Sequence, residues 1–355
     1  MQNFYFQILF FFLIFSLALQ SQTDSTKPNS NLIRRGGQYS NLTTHYPILN
    51  TQYSKHNTQT FENTYRYIHY TYENDFFNMT DRYYTQGIQL EYISPFVEKS
   101  PLSKLLIRLK NNSQKHFGMA VEQNCFTPRS IRYDTLNTLE RPYAATMFLT
   151  HSLISIDTEK KLRFTTKLDL GLIGPCAVCE QEQKAIHTAL DNIPPLGWQH
   201  QLKTDVIINY SAFIEQNIYS NNYFQFIGLG DVRIGTLYDD VSGGLMFRMG
   251  IMNSYFKNLG VVKNIHPNKF QFYLTAKGKI KLVGYNATME GGMFAQNNDL
   301  VVPSSDVERL VYSFYGGAVL AYKRVSIEYA RIFITKEFNR GIEHGWGKCS
   351  ITVCF

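Results

Sequence analysis

After its first 20 residues, the sequence has no apolar run approaching the roughly 18 to 20 residues that a membrane-spanning helix needs. Basic runs are also short: none exceeds the pairs Arg34-Arg35 and Lys160-Lys161, although the formal net charge is +7. Scattered basic residues do not form the electrostatic footprint of a nucleic-acid-binding protein. These absences exclude later transmembrane helices, and we expect no nucleic-acid partner.

Cysteine is scarce, and its count of five is odd, which excludes a complete set of disulfides within one chain. Cys176 and Cys179 form a CxxC pair, which in an exported protein is compatible with a local disulfide. The chain has no second pair of this kind and no His at zinc spacing, so a metal centre is poorly supported. We therefore expect a structural or incidental role for these two cysteines.

The N-terminal segment FYFQILFFFLIFSLAL is apolar and is followed by the polar residues QSQTDS. This pattern is typical of a signal peptide, here residues 1–21, although no Lys or Arg precedes the apolar run. An N-terminal membrane anchor is the alternative. Residues 22–60 are rich in Asn, Ser, Thr and Gln without periodicity, which predicts a flexible polar leader before a folded unit at 61–355.

Aromatic residues are abundant, at 15% of the chain, and occur in segments of alternating polarity. In one such segment, Phe164 and Leu168 face one way while Lys167 and Asp169 face the other. A soluble sheet and a membrane barrel both produce this period of two. Twelve segments are predicted as strands: 65–74, 84–94, 115–124, 143–156, 163–173, 203–217, 223–236, 242–252, 268–287, 308–321, 324–335 and 347–355.

The last residues, KCSITVCF, also alternate and end on Phe355. A terminal strand ending in Phe resembles the C-terminal signal of Gram-negative outer-membrane proteins, through which the barrel assembly machinery would be a partner. Together with the even strand count and the signal peptide, it favours a barrel over an ordinary edge strand. We predict an all-β fold, a twelve-stranded antiparallel transmembrane β-barrel in the outer membrane of a Gram-negative bacterium.

Two segments depart from the β pattern. Residues 102–110, LSKLLIRLK, have apolar residues at helical spacing with basic residues between them. They predict a short amphipathic helix at a membrane interface, with a hydrophobic plug as the alternative. Residues 179–192 contain good helix formers and are followed by Pro194-Pro195, which predicts a second helix between the fifth and sixth strands.

The unusual polar motifs fall in three connections, 75–83, 125–142 and 174–202. These follow the first, third and fifth strands, so in an antiparallel barrel they share one rim. If the chain enters from the periplasmic side, that rim is extracellular. We therefore predict one site at the extracellular rim, with a short helix in one of its connections.

The predicted helix places Gln183, His187 and Asp191 four residues apart on one face. A His with a carboxylate one turn away suits a general base, because the acid orients the imidazole and stabilises the imidazolium ion. Taken alone, this stripe favours a surface helix that carries an incidental His.

Asn74, Asp75 and Thr85 are hard oxygen donors at the mouth of the first hairpin. Such ligands suit Ca²⁺, which can polarise an ester carbonyl. Asn74 and Asp75 are adjacent, so they can serve one site only where the strand bulges or ends. Asp81 and Arg82 are assigned to holding the loop.

Four motifs occur together: END followed by TDRYYTQG, FTP followed by RPYA, GLIGP followed by the predicted helix, and GWQHQL. In order and spacing they resemble the LpxR family of lipid A 3′-O-deacylases, strongly over 65–210 and mainly as strand pattern to 355. The resemblance implies a twelve-stranded barrel that uses Ca²⁺ and a His base. Its substrate would be the 3′-acyloxyacyl ester of lipid A, the lipid part of lipopolysaccharide, in the outer leaflet.

By this resemblance, Asn74 and Asp75 match the family's Asn-Asp pair, and Thr85 matches the Thr of its Tyr-Thr-x-Gly. Gln183 and His187 match its Gln-x3-His. The implied mechanism has His187 taking a proton from water while Ca²⁺ near the first three residues polarises the ester carbonyl.

Two positions depart from the family pattern. The family's active-site Lys falls near Arg132, which keeps the charge but not the geometry and would position substrate or the oxyanion together with Gln183. The family's Glu, six residues after the His, corresponds to Ile193, so Asp191 is the candidate substitute. An outer-membrane esterase on another acyl lipid and a non-catalytic structural or transport barrel are the alternatives.

Overall fold

The computed structural model describes residues 66–109, 113–134, 137, 139–257, 259 and 270–355. The predicted signal peptide and leader lie outside the described residues. Within the described part of the chain, no helix is long and apolar enough to span a membrane.

Twelve antiparallel strands form a closed barrel, in which each strand pairs with its neighbours in sequence and the first pairs with the last. This confirms the predicted fold class and strand count. The strands are β1 (Tyr67–Asn74), β2 (Tyr83–Ile93), β3 (Gln114–Thr127), β4 (Ala144–Asp157), β5 (Leu162–Ile173), β6 (Asp205–Ser220), β7 (Phe224–Gly235), β8 (Tyr238–Ile251), β9 (Phe270–Asn286), β10 (Leu310–Tyr322), β11 (Val325–Ile334) and β12 (His344–Cys354).

The barrel closes where β1 pairs with β12, from Tyr67 opposite Cys354 to Asn74 opposite Gly347. Closure gives every strand two neighbours, so no edge of unpaired backbone groups remains. This is the condition for a sheet to cross a bilayer, since lipid offers no hydrogen-bonding partner.

The wall of the barrel is apolar outside and polar inside. On β9, Phe272, Leu274 and Ile280 are exposed, whereas the alternating Lys279 points into the lumen and pairs with Asp231 of β7. The exterior therefore suits lipid and the interior a polar lumen, which is the alternation of a transmembrane barrel.

The helix predicted at 102–110 is wrong for its described residues, 102–109. A short 3₁₀ helix, Pro101–Lys104, covers only its first residues and follows another, Pro95–Lys99, and each begins at a proline, which is tolerated in the first turn of a helix. Further on, the Tyr210 hydroxyl donates to the carbonyl of Leu105 and accepts from the backbone N–H of Ile107, so the helical turn does not continue.

This segment lies against the outer wall rather than plugging the lumen. Its Val97 and Leu106 pack with Phe117, Leu153 and Leu168, which are on the outward-facing rows of β3, β4 and β5.

The predicted helix between β5 and β6 is confirmed as α1 (Cys179–Ala189), although it ends earlier than position 192. A further short helix, α2 (Ala287–Glu290), follows β9. The local pairing of Cys176 with Cys179 is wrong, because Cys179 forms a disulfide with Cys125 at the end of β3. Cys176 lies in the 3₁₀ turn Pro175–Ala177 and is an exposed thiol.

Candidate functional site

The connections after β1, β3 and β5 share one rim of the barrel, which we call the site rim. There the structure brings together side chains from two of these connections and from the start of β2. They are Asp75, Asp81, Thr85, Gln183 and His187.

Strand β1 ends because the Asn74 side chain caps a 3₁₀ helix, Asp75–Asn78, by accepting a hydrogen bond from the backbone N–H of Phe76 at 2.7 Å. The cap turns the chain, so the strand stops at the Asn-Asp pair, as the sequence requires if both residues serve one site. Asn74 Oδ1 already has this local partner, and it can accept a second bond.

The Asp75 carboxylate organises the β1–β2 connection from inside. Its side chain is only 2% exposed, and its Oδ2 accepts hydrogen bonds from the backbone N–H of Arg82 at 2.7 Å and the Thr80 hydroxyl at 2.9 Å. Its Oδ1 lies 3.3 Å from the Thr85 hydroxyl. Oδ2 accepts two hydrogen bonds, whereas Oδ1 accepts one long bond. Oδ1 can therefore accept a further bond.

Asp81 is the centre of the cluster. Its Oδ1 lies 2.8 Å from the Thr85 hydroxyl and accepts from the Gln183 amide at 2.9 Å, while its Oδ2 lies 3.2 Å from His187 Nε2. Sequence reasoning assigned Asp81 to the loop and missed this role. The available signal was its place in the polar connection between β1 and β2, four residues before Thr85.

Both ring nitrogens of His187 have oxygen neighbours. Nδ1 lies 2.6 Å from the backbone carbonyl oxygen of Ile193, and Nε2 faces Asp81. The hydrogen bond to Asp81 raises the pKa of His187 above its ordinary value, against the opposing effect of burial. The surroundings therefore stabilise the imidazolium ion, which is the state a general base reaches after taking a proton.

Position 193, where the resemblance implies a Glu, contributes its backbone in this chain. The acceptor for His187 Nδ1 is the carbonyl of residue 193, and the Ile193 side chain is exposed. The imidazole is therefore oriented without a carboxylate at that position.

Trp198 fixes the orientation of the Gln183 amide. The indole Nε1–H donates to Gln183 Oε1 at 2.8 Å, so the amide N–H groups turn toward Asp81. Trp198 is fully buried, and its ring packs on Tyr143 with centroids 4.7 Å apart. Sequence reasoning noted the motif GWQHQL but not this contact.

Two predicted catalytic residues are not brought to the cluster. Helix α1 ends at Ala189, and Asp191 follows with a left-handed φ of 50° and an exposed side chain, so the expected stripe stops before it. No hydrogen bond or ion pair between Asp191 and His187 occurs in the described part of the chain.

Arg132 is also exposed, and its one contact described is a backbone bond to the Ser130 hydroxyl. Three residues earlier, Arg129 lines a cavity of about 610 Å³. Tyr143 and Gly197 form part of the same cavity wall, next to Trp198.

The hairpin oxygens fit a hard cation. Burial raises the pKa of Asp75 to about 8, and the charge of Asp81 adds to the effect. A buried carboxylate beside a second one is relieved by a cation, and Asn74, Asp75 and Thr85 offer the oxygen donors that Ca²⁺ prefers. Among described residues, no group of three or more His, Cys, Asp or Glu side chains could hold a metal, so hydroxyl and amide oxygens are needed.

The model of a protein family described as outer membrane protein LpxR matches residues 41–355. The chain belongs to the LpxR family. A solved structure of LpxR from Salmonella typhimurium is similar in fold, with a TM-score of 0.66 over 81% of this chain and 99% of that chain, at 17% identity. No curated protein matched the sequence.

The beta domain of the Bordetella autotransporter Brka also matches, over 81% of this chain and 97% of that chain. Its TM-score of 0.39 and 7% identity carry no conclusion about the site. Membership of the LpxR family confirms the resemblance seen in the motifs, and it makes the chain an outer-membrane β-barrel protein.

Proposed function

We propose that this LpxR-family barrel hydrolyses the 3′-acyloxyacyl ester of lipid A in the outer leaflet of the outer membrane. The observation that carries the proposal is the buried His187, held between the Asp81 carboxylate and the Ile193 carbonyl at the site rim. Its place in an LpxR-family barrel supports lipid A as the substrate.

His187 acts as the general base. In its neutral form the proton sits on Nδ1, where the Ile193 carbonyl accepts it, and the lone pair is on Nε2. For Nε2 to take a proton from the attacking water, that water must enter where Asp81 Oδ2 lies 3.2 Å from Nε2, and the nearby carboxylate then stabilises the imidazolium ion by its charge without itself being protonated. The hydroxide equivalent attacks the ester carbonyl, and the proton later passes to the leaving alkoxide.

Gln183 and Arg132 assist at the ester. One N–H of the Gln183 amide is used by Asp81, and the second remains for the developing oxyanion. Arg132 is assigned to positioning an anionic part of the substrate, which its exposed place on the β3–β4 connection permits.

Asn74, Asp75 and Thr85 would hold Ca²⁺, which when bound supplies Lewis-acid polarisation of the ester carbonyl. Support comes from the oxygen donor set and from the raised pKa of the buried Asp75.

The site rim is proposed to be the extracellular one. The wall below it is apolar and suits lipid. A lipid A molecule in the outer leaflet can then reach the cluster sideways, without leaving the bilayer.

Mass spectrometry of lipid A from cells with and without the protein tests the proposal. We expect loss of the 3′-acyloxyacyl group with the wild type, and no loss with His187→Ala or with a Ca²⁺ chelator present. Asp191→Asn is the matched control and should act like the wild type. Unchanged lipid A with Ca²⁺ present contradicts the proposal. Deacylated phospholipids would then indicate an esterase on another lipid, and no change in either would indicate a non-catalytic barrel.

A further inference from the structure

Helix α1 carries both Gln183 and His187, yet it has almost no apolar face. Of its 11 residues, only Cys179 and His187 are buried. A helix that is polar all round gains little from packing, so packing alone does not hold it in place.

The N-terminal end of α1 is instead held by a covalent bond. Cys179 is the first residue of the helix and forms a disulfide with Cys125, 54 residues earlier. The two sulfur-bearing side chains are buried in a cluster with Tyr143 and Trp198, the residues that orient the Gln183 amide.

The other end of this bond is rigid and close to the site. Cys125 lies in β3, where it pairs with Gln86 of β2 on one side and Ala145 of β4 on the other. Gln86 directly follows Thr85. The disulfide therefore ties the helix with the candidate base to β3, the strand that pairs with β2 next to Thr85.

Beyond the disulfide, the side-chain attachments described for Gln183 and His187 are hydrogen bonds to Asp81, Trp198 and the Ile193 carbonyl. Each such bond adds little net stability, because it replaces a bond that the same group would make to water. These bonds form only when the helix is already in place, because a donor and an acceptor that move apart bond to water instead.

We infer that the Cys125–Cys179 disulfide is a positioning element for His187 and Gln183, and that opening it loosens α1 while the barrel stays closed. A dithiol reductant opens it by thiolate attack on one sulfur. The disulfide takes up two electrons and two protons to become two thiols, and the dithiol is oxidised to its cyclic disulfide. The consequence for catalysis rests on the proposed function, whereas the consequence for α1 does not.

Trypsin cleavage after Lys184, an exposed residue in the middle of α1, tests the positioning. We compare the oxidised wild type, the wild type treated with dithiothreitol, Cys125→Ser/Cys179→Ser, and Cys176→Ser as the matched control. Cleavage should be about tenfold faster in the second and third samples, because the helix opens more often once the covalent anchor is lost. The control should match the oxidised wild type.

Gel mobility of unboiled samples reports barrel closure and should be the same in all four. Equal cleavage in every sample overturns the inference, as does peptide mapping that finds a Cys176–Cys179 bond in the wild type. If the barrel of the double variant does not form, the comparison of oxidised with reduced wild type still tests the inference.

Kinetics with lipid A measure kcat and KM, which a purely structural disulfide would leave unchanged. We expect kcat to fall about tenfold in the double variant with KM within about twofold, because the base is displaced but the substrate surface is not. A wild type without lipid A hydrolysis would contradict the proposed function and leave the trypsin result standing. A double variant with wild-type kcat would overturn the positioning role.

Discussion

At the residue scale, the Asp81 carboxylate links the two halves of the site. One oxygen faces Thr85 and Gln183, and the other faces His187. Thr85 has a single hydroxyl proton, which serves either Asp81 or Asp75 but not both. Asp81 therefore stands between the hairpin oxygens and His187, and in the proposed mechanism it takes the place of an acid at position 193.

Asp81→Asn should lower kcat/KM by about a hundredfold, because the imidazolium ion loses its carboxylate partner. The same change should move the rising limb of the pH–rate profile to lower pH. Asp81 raises the pKa of His187, and the base form exists above that pKa, so removing the charge extends the base form downward. Kinetics between acid and neutral pH measure both effects.

Asp191→Asn serves as the control for that experiment. The side chain of Asp191 is exposed beyond the end of α1, so both the rate and the pH profile should stay at wild-type values. A profile unchanged in Asp81→Asn, or shifted in Asp191→Asn, would contradict the assignment of Asp81.

At the element scale, the site depends on how α1 and the following connection dock on the barrel. Trp198 connects them, since its indole N–H holds Gln183 while its ring packs on Tyr143. The strands set a second requirement. They pair closely, so the barrel wall has little room for additional side-chain atoms.

Trp198→Phe should lower kcat about threefold to tenfold, because the ring still packs but the hydrogen bond of about 1 kcal/mol to Gln183 is lost. Trp346→Phe is the matched control. It removes the same donor group from Glu73, inside the barrel, and should leave kcat unchanged. Equal losses in the two variants would show a general effect of removing an indole rather than a role for Gln183.

Gly171→Ala should destabilise the barrel by about 1 to 3 kcal/mol. A Cβ there would lie 2.2 Å from the carbonyl oxygen of Met147 and 2.4 Å from Cα of Phe148, so backbone would have to move. A Cβ added at Gly316 in β10 would have no atom within 4 Å, so Gly316→Ala should leave the stability unchanged. Urea unfolding in detergent compares the two, and similar midpoints would contradict the prediction.

At the scale of the whole molecule, closure of the barrel depends on pairing the first strand with the last. The chain ends just beyond that seam, where the backbone N–H of Phe355 donates to the carbonyl of Arg66 at 2.9 Å and the ring is 44% exposed. The barrel assembly machinery stays a predicted partner of this exposed ring.

Phe355→Ala should reduce the amount of assembled barrel several-fold without changing the activity per assembled molecule, because Phe355 lies at the rim of the barrel opposite the site rim. Phe333→Ala removes a similarly exposed ring from the outer wall of β11 and is the control. The measurement is the heat-modifiable fraction in outer-membrane preparations. Equal yields of the two variants would count against a role for Phe355 in assembly.

The sequence by itself determined the elements of this protein. Alternation with a period of two located twelve strands within a few residues, because side-chain direction along a strand is a local property. Spacing of four residues placed Gln183 and His187 on one helix face for the same reason.

Only the tertiary structure decided which groups meet. Asp81 and Gln183 are 102 residues apart, and the disulfide joins residues 54 apart, so neither contact leaves a periodic trace in the sequence. The helix stops before Asp191, and the backbone carbonyl of Ile193 replaces a side chain, because the chain must turn back there to reach β6. Closure of the barrel is the physical event that brings these connections to one rim.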